Sequence, residues 1–266
     1  MKSKLTLIAL FLCIGQVYSQ SDTTSSRGIT INYSFNNESF EDTRFSFRNR
    51  VEPGFTSSLL LFWKKNRSRH SFRLGFGKNF PQRAGELVAF NNLRPEFIYT
   101  YQREIASWYV GGYFGQGSLL SFPTGLWAGN NNISYSIWGS VGLATEFQKR
   151  LPFNNERFAI FSRLRIPIVS YVIRPSYGLP YPEDFIEDGV FNFQREGMGR
   201  YVLSSGNLNS LNTFQKAYFE VGFSSYIAKL RHEIGLSYIL DYLKIDEEKE
   251  VKQVKNGIQL STNFKF

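Results

Sequence analysis

Apolar and polar residues alternate one by one along most of this chain. In its last ten residues, GIQLSTNFKF, Ile258, Leu260, Phe264 and Phe266 are apolar and the residues between them are polar. A period of two places successive side chains on opposite faces of a β-strand. Each such segment therefore predicts a strand that has one apolar face and one polar face.

About ten segments alternate in this way, and together they predict an all-β fold. Mean hydropathy is −0.27 although aromatic residues make up 17% of the chain, which fits half-apolar strands better than buried helices. The segments that begin at Arg69, Arg94, Asn132 and Arg157 reach the roughly 9–11 residues that a tilted strand needs to cross a bilayer. Strands of soluble proteins contain only about 5–6 residues.

The connections between these segments alternate in expected length. Short turns are expected near 65–69, 105–106, 151–157 and 229–231, and long loops near 36–54, 81–93, 119–131, 173–213 and 241–256. In a meander, this alternation puts the long loops at one end and the short turns, with both chain termini, at the other. The sequence leaves open whether Thr43–Arg50 adds strand to the first loop.

This alternation of short and long connections predicts an antiparallel up-and-down transmembrane β-barrel of about 10 strands, with 8 or 12 as alternatives. Lipid offers no hydrogen-bond partner to a sheet edge, so the last strand must pair with the first. A terminal strand at GIQLSTNFKF meets that requirement. The other fold that the sequence leaves open is a soluble secreted β-sandwich or lipocalin-like barrel, in which the apolar faces would turn inward.

The first 19 residues have the composition of a secretory signal peptide. Lys2 and Lys4 precede a short apolar run, and Val17 and Ser19 fit the small-residue rule of a cleavage site. Cleavage after Ser19 would leave residues 20–266 as the barrel domain, and the alternative is an amino-terminal membrane anchor. The one cysteine, Cys13, lies in this segment, so a cleaved chain would contain no disulfide and no cysteine nucleophile.

The signal peptide, the rhythm of the connections and the terminal aromatic residue together resemble a small outer-membrane β-barrel protein of a Gram-negative bacterium. The resemblance implies an outer-membrane location with both termini in the periplasm. It also implies that outer-membrane lipid and, during biogenesis, the barrel-assembly machinery are partners. In such proteins the final strand carries the assembly signal, and Leu260, Phe264 and Phe266 stand at its positions. Thr262 interrupts the apolar row, a mild departure from the pattern.

Charged residues are expected on the faces of the strands that point into the lumen. One interpretation is a polar conduit that selects solutes; the other, which we favour, is a salt-bridged plug in a narrow barrel. Opposite charges should then pair, because an isolated buried charge is costly. The expected lumenal charges are Arg73, Glu96, Glu146, Arg163, Arg165, Glu220, Glu233 and Lys265.

The sequence offers little for catalysis. Some small outer-membrane barrels are phospholipases, lipid A deacylases, palmitoyl transferases or omptin-type proteases, and as families these rely on histidine near the outer face. The two histidines here, His70 and His232, follow short turns and so map to the opposite end. We therefore expect no catalytic residue, no cofactor and no metal site.

The favoured function is a non-enzymatic barrel that acts as an accessory, scaffold or ligand-binding protein through its extracellular loops. A narrow porin-like channel for small solutes is the second hypothesis, and an outer-membrane lipid- or peptide-processing enzyme is the third. Loop 173–213 is long enough to cap the barrel or to bind an outer-membrane protein partner. The net charge of +9 is concentrated in short turns, where it fits anionic lipid head groups better than nucleic acid.

Deleting Phe266 should impair assembly more than any activity, because this aromatic residue belongs to the expected assembly signal. The measurement is the amount of protein in purified outer membranes. Normal membrane levels of the truncated chain would show that the terminal stretch has been misread.

Overall fold

The computed structural model describes residues 25–43, 46–80, 89–124, 134–152, 158–174, 206–227, 232–247 and 249–266. Within these ranges, no helix is long and apolar enough to span a membrane. The regular elements there are β-strands, and their bounds are β1 (Ser26–Asp42), β2 (Ser46–Lys65), β3 (Ser68–Asn79), β4 (Ala89–Ile105), β5 (Trp108–Thr124), β6 (Ser134–Arg150), β7 (Phe158–Ile173), β8 (Gly206–Ser210), β9 (Phe214–Ile227), β10 (His232–Glu247) and β11 (Lys249–Lys265).

The strands form one closed antiparallel sheet. Consecutive strands are neighbours from β1 to β7, and β9, β10 and β11 follow in order until β11 pairs with β1. β8 lies beside Val169–Ile173 of β7, and β9 lies beside Phe158–Arg165 of the same strand. β8 and β9 are therefore two pieces of one stave. The result is an up-and-down barrel of ten staves, which confirms the predicted fold class and strand number.

β11 closes the barrel against β1. Their ladder runs without interruption from the pair Gly28–Lys265 to the pair Asp42–Val251. Beyond it, Phe266 N donates to the Arg27 carbonyl at 3.1 Å and Arg27 N donates to the Phe266 carbonyl at 3.4 Å. The stretch GIQLSTNFKF is thus the closing strand, and neither end strand is left with an unpaired edge along this seam.

Two of the expected long loops are strands instead. β1 and β2 extend through most of residues 36–54, with β1 ending at Asp42 and β2 beginning at Ser46, while β10 and β11 leave only residue 248 between them. The prediction of loops at 36–54 and 241–256 was wrong because inward and outward side chains continue to alternate there, although apolar residues no longer mark the outer face consistently. Phe40, for example, is buried inside, whereas its neighbour Glu41 lies on the outer face.

Among the other connections, the structure describes two tight turns between neighbouring strands. These turns lie at 66–67 and 106–107, where Asn66 and Ala106 have φ angles of 54° and 56°. The left-handed conformation at these residues matches a two-residue hairpin turn to the twist of its strands. The expected signal peptide at 1–19 and most of loop 173–213 lie outside the described residues. The loops expected at 81–93 and 119–131 were placed too wide, because β4 already begins at Ala89 and β5 continues to Thr124; the rest of both loops lies outside the described residues.

The outer wall of the barrel is apolar over the half nearer the chain termini. In β10, for example, Leu236 and Tyr238 are exposed, while Gly235 and Ser237, which alternate with them, are buried. Soluble monomers rarely expose contiguous apolar patches beyond a few hundred Å². This inside-out wall contradicts the soluble alternative and is the arrangement of a barrel that spans a bilayer. Other exposed members of the band are Tyr33, Phe35, Leu59, Leu61, Leu74, Phe76, Phe114, Val141, Leu143, Ile160, Leu164, Ile166, Phe219, Phe223, Ile258 and Leu260.

Beyond this band the distribution reverses on β10, whereas on β1 and β2 the rim still buries Glu38 and Glu52 and exposes Val51. On β10, Lys244 and Asp246 lie on the outer face, while Leu243 and Ile245 are buried inside. A strand of 17 residues such as β1 is about 55 Å long and stands about 40 Å tall when tilted, whereas the apolar band of such barrels is only about 25 Å tall. The strands therefore extend past the band at the end away from the termini. We call this extension, formed mainly by residues 36–54 and 241–256, the rim.

A closed barrel should keep its shape in cold detergent, so unboiled protein should migrate differently from boiled protein in electrophoresis. Leu260→Pro should abolish this difference, because proline removes a ladder hydrogen bond in the middle of the closing strand, whereas Leu260→Val should preserve it. Identical mobility of the unaltered chain before and after boiling would contradict the closed barrel.

Candidate functional site

The polar faces of the ten staves meet in the lumen, where a chain of alternating charges crosses the middle of the barrel. Arg69 Nη1 lies 2.8 Å from Glu146 Oε1, and Arg163 Nε lies 3.2 Å from Glu146 Oε2. Arg163 also reaches the next carboxylate, with its Nη1 3.2 Å from Glu220 Oε2. Strands β3, β6, β7 and β9 each contribute one of these residues. Arg163 is the ladder partner of both carboxylates on the neighbouring strands, and the pair of Arg69 with Glu146 joins β3 to β6, which are not neighbours in the sheet.

Glu220 accepts hydrogen bonds from neutral donors as well. The Tyr218 hydroxyl donates to Oε2 at 2.8 Å, and Ser237 Oγ and Gln259 Nε2 donate to Oε1 at 2.9 and 2.8 Å. Glu220 is only 2% exposed, so these bonds replace the water that a buried carboxylate would otherwise need. Both of its oxygens are consequently occupied.

Other contacts span the lumen from wall to wall. Lys216 Nζ on β9 lies 2.5 Å from Glu96 Oε1 on β4. The guanidinium carbon of Arg73 on β3 lies 5.4 Å from the centroid of the Tyr218 ring on β9. β3 and β9 are five staves apart in the ten-stave barrel, so they face each other across its full diameter. Side chains from opposite walls therefore meet in the middle of the lumen.

Ion pairs also occupy the end of the lumen near the termini. Lys64 Nζ lies 2.8 Å from Glu104 Oε2, and Lys265 Nζ lies 2.6 Å from Glu233 Oε2. Ser224 Oγ donates a further hydrogen bond to Glu233 at 2.5 Å. These pairs are partly exposed, which places them at the boundary between the lumen and water.

A second polar network lies higher, inside the rim. Glu38 is fully buried and accepts hydrogen bonds from Arg94, Gln253 and Asn92, which reach it from other strands. Lys255 Nζ lies 3.3 Å from Asp241 Oδ2 at a similar height. These ties join the extended strands to one another above the apolar band.

An apolar cluster lies inside the barrel above this network. Its members come from seven strands around the barrel and are at most 6% exposed. We call it the apolar cap, because it lies inside the rim and faces the connections at the end away from the termini. It consists of Phe40, Leu119, Trp138, Val172, Phe214, Leu243, Ile245 and Val251.

Three cavities lie between these groups, with volumes of about 20, 60 and 40 Å³. A water molecule needs about 10–15 Å³ of such space, so each cavity holds no more than a few waters. The two larger ones are lined by charged side chains, including Arg73 in both.

The expected lumenal charges point inward, but only some of them form ion pairs. The structure joins Glu146, Arg163 and Glu220 in one chain and pairs Glu233 with Lys265. Glu96 pairs with a lysine that the sequence analysis did not assign to the lumen, Lys216. Arg73 and Arg165 contact the Tyr218 ring, and among the described residues neither has a carboxylate within salt-bridge distance.

The sequence analysis also missed the apolar cap and the Glu38 network. Both lie largely in segments that were interpreted as loops. The signal that could have found them is the continued period of two, in which buried Phe40 and Val251 alternate with polar residues.

The two histidines lie on the outer wall near the short turns. The His70 ring stacks on Trp63 with centroids 5.0 Å apart, and its Nδ1 lies 2.8 Å from the Tyr99 hydroxyl. His232 packs edge-on against Phe264 at 4.3 Å. Within the described ranges, no group of three or more His, Cys, Asp and Glu side chains is placed to hold a metal ion.

The expected assembly-signal residues lie on the outer face of β11. Leu260 and Phe266 are exposed, Phe266 by 73%, and Phe264 is partly covered by His232. The polar residues between them point into the lumen, where Gln259 bonds Glu220 and Lys265 pairs with Glu233.

Comparison with solved structures finds barrels of low identity. The translocator domain of the autotransporter NalP from Neisseria meningitidis is 7% identical, with a TM-score of 0.48, over 100% of this chain and 97% of that chain. Neisserial surface protein A is 12% identical, with a TM-score of 0.35, over 91% and 99%. Ail, the attachment invasion locus protein of Yersinia pestis, is 10% identical, with a TM-score of 0.24, over 90% and 99%.

No protein-family model matches the chain, and no curated protein matches it. The class of the protein therefore rests on its own strand register and on its inside-out wall. These define an integral β-barrel of the outer-membrane type.

Glu220→Ala should lower the free energy of unfolding by about 3–5 kcal/mol, because it removes the acceptor of four contacts and leaves buried donors without a partner. The measurement is urea unfolding of the detergent-folded protein, followed by tryptophan fluorescence. Glu250→Ala is the matched control, since its partner Lys244 lies on the outer face of the rim and such pairs contribute little. Equal losses in the two variants would contradict a structural role for the charge chain.

Proposed function

We propose that this protein is a non-conducting, non-enzymatic barrel of the bacterial outer membrane, and that it acts as an accessory, scaffold or ligand-binding protein through its rim and outer loops. The contacts that cross the lumen, from Arg73 to Tyr218 and from Glu96 to Lys216, are the observation that supports the proposal. If solutes do not pass through the barrel, its function belongs to the surfaces at its ends.

Two different barriers support a closed lumen. Arg73 and Tyr218 meet from opposite walls in the middle of the barrel, and Glu96 is tied across the lumen to Lys216. Above them, the apolar cap offers no polar partner to an ion, and apolar constrictions exclude ions by dewetting. An ion would have to break the first barrier and then cross the second.

The rim supports a function at the outer end. Its strands are joined by long ladders and by the buried Glu38 network, so it forms a rigid base for the connections that rise from it. Binding residues are commonly carried by loops on a rigid scaffold. Loop 173–213 is the longest such connection, and its described part, β8, is anchored to β7 over five residue pairs. We propose this loop as the contact for an outer-membrane protein partner.

The arrangement of the connections supports an orientation with both termini in the periplasm. The tight turns at 66–67 and 106–107 lie at the same end as Arg27 and Phe266. The opposite end has two short connections as well, after β1 and after β10, but it also has the three longest, after β3, β5 and β7. Outer-membrane barrels have short periplasmic turns and longer outer connections. In this orientation the two histidines lie at the periplasmic boundary, far from the rim, which supports a non-enzymatic role.

Planar-bilayer recording tests the closed lumen. The unaltered protein should show no unitary conductance, because both barriers are intact. The triple variant Trp138→Ala, Phe214→Ala and Lys216→Ala removes parts of both barriers, so it should show conductance in the same assay. A triple variant on the outer wall, Leu236→Ala, Tyr238→Ala and Leu260→Ala, controls for loosening of the fold. Reproducible unitary conductance of the unaltered protein would favour the narrow porin-like channel instead.

Cross-linking in native membranes, followed by mild detergent extraction, tests the accessory role. We expect a stable neighbour that is lost when residues 175–205 are replaced by a short glycine-rich linker. A protein that is extracted only as a monomer, with and without the loop, would contradict a partner at this loop.

A further inference from the structure

Two lumenal arginines take no part in the ion pairs. In the described part of the chain, the other lumenal cations each have a carboxylate within salt-bridge distance. Arg73 and Arg165 have none, and the buried Nε of Arg73 has no hydrogen-bond partner. Glu96 is near enough to both to attract them, but its own ion pair is with Lys216. A guanidinium held largely away from water without a directly bonded counter-charge is costly. The two arginines therefore require an explanation that the charge chain does not provide.

Both arginines approach one aromatic ring. The guanidinium carbon of Arg165 lies 4.1 Å from the centroid of Tyr218, and that of Arg73 lies 5.4 Å from it. Arg165 is the ladder partner of Tyr218, whereas Arg73 reaches the ring from the opposite wall. Two cations from different walls thus converge near the centre of the lumen.

A cavity of about 60 Å³ lies beside them. Its lining contains four guanidinium groups, from Arg69, Arg73, Arg163 and Arg165, but only two carboxylates, from Glu146 and Glu220. The oxygens of both carboxylates are already bonded within the charge chain. The cavity wall therefore carries two positive charges in excess, and the unpaired ones belong to Arg73 and Arg165.

We propose that this cavity binds a small inorganic oxyanion of the phosphate type between Arg73 and Arg165. A planar guanidinium presents parallel N–H donors that match two oxygens of such an anion. The anion would supply the missing counter-charge in a region of low dielectric, where an ionic interaction is strong. About 60 Å³ has room for one small anion with little water and excludes larger organic phosphates.

The anion would enter from the end near the termini. The apolar cap lies toward the other end of the lumen and offers an anion no polar partner, whereas the ion pairs at this end, such as Lys64 with Glu104, are partly exposed. An occupied site leaves the lumen filled, so the proposal is independent of the function proposed for the rim.

Inorganic phosphate is the probe, titrated into the detergent-folded full-length protein at constant ionic strength. We expect phosphate to raise the midpoint of thermal unfolding in a saturable way and to bind with one site by calorimetry. Arg73→Gln and Arg165→Gln should each weaken binding at least tenfold. Both should fold, because each removes an unpaired charge and not a member of an ion pair; the mobility shift on boiling checks this. Arg103→Gln is the matched control, since Arg103 is exposed on the outer wall, and it should bind as the unaltered protein does.

Phosphorus-31 line widths give a second readout that needs no variant. Broadening that saturates at one equivalent supports the site, and broadening that never saturates means surface binding and overturns it. The proposal is also overturned if phosphate binding persists unchanged in both lumenal arginine variants. An equal stabilisation by chloride at the same ionic strength would overturn the oxyanion class.

Discussion

In hydrocarbon, each backbone N–H and C=O group must find its hydrogen-bond partner within the protein, and an unpaired group costs several kcal/mol. The rest of this structure depends on that constraint. It explains why the sheet closes, why the ladder between β1 and β11 is uninterrupted, and why β8 and β9 share one stave along β7. Once the wall is closed, the period of two decides which side chains face outward and which fill the lumen.

A closed wall of ten staves creates a second constraint, because its interior must be filled or hydrated. Small residues such as Ser237 and Gly235 leave room for longer polar side chains from other strands. Some of those charges then pair across the lumen, as Arg69 does with Glu146 and Lys216 with Glu96. In the rim the outer solvent is water, so the same strands bury apolar residues inside and form the apolar cap. On β10, for example, apolar residues face outward in the half near the termini and inward in the rim.

Much of the fold could be predicted from the sequence, because outward apolar residues such as Leu236 and Tyr238 recur at period two in the band. The rim could not be predicted in this way, because several of its apolar residues lie on the inner face and the apolar pattern of the outer face ends there. The direction of the lumenal side chains also followed from the pattern. Their partners did not: Lys216 and Glu96 are 120 residues apart in sequence, and only the closed register brings their strands to face each other. Which arginines remain unpaired depends on the same register.

The height at which the polarity reverses has a mechanical consequence. On β1 the outer face changes from Phe35 to Asn37, and on the neighbouring β11 it changes from Ile258 to Asn256. These positions are at the same height, because Phe35 is the ladder partner of Ile258. At this seam the boundary between lipid and water is therefore fixed. If the barrel moved along the membrane normal, asparagine side chains would enter the lipid or aromatic rings would enter the water. Changes in bilayer thickness must then be absorbed by stretching or compressing the surrounding lipid, while the protein keeps its depth.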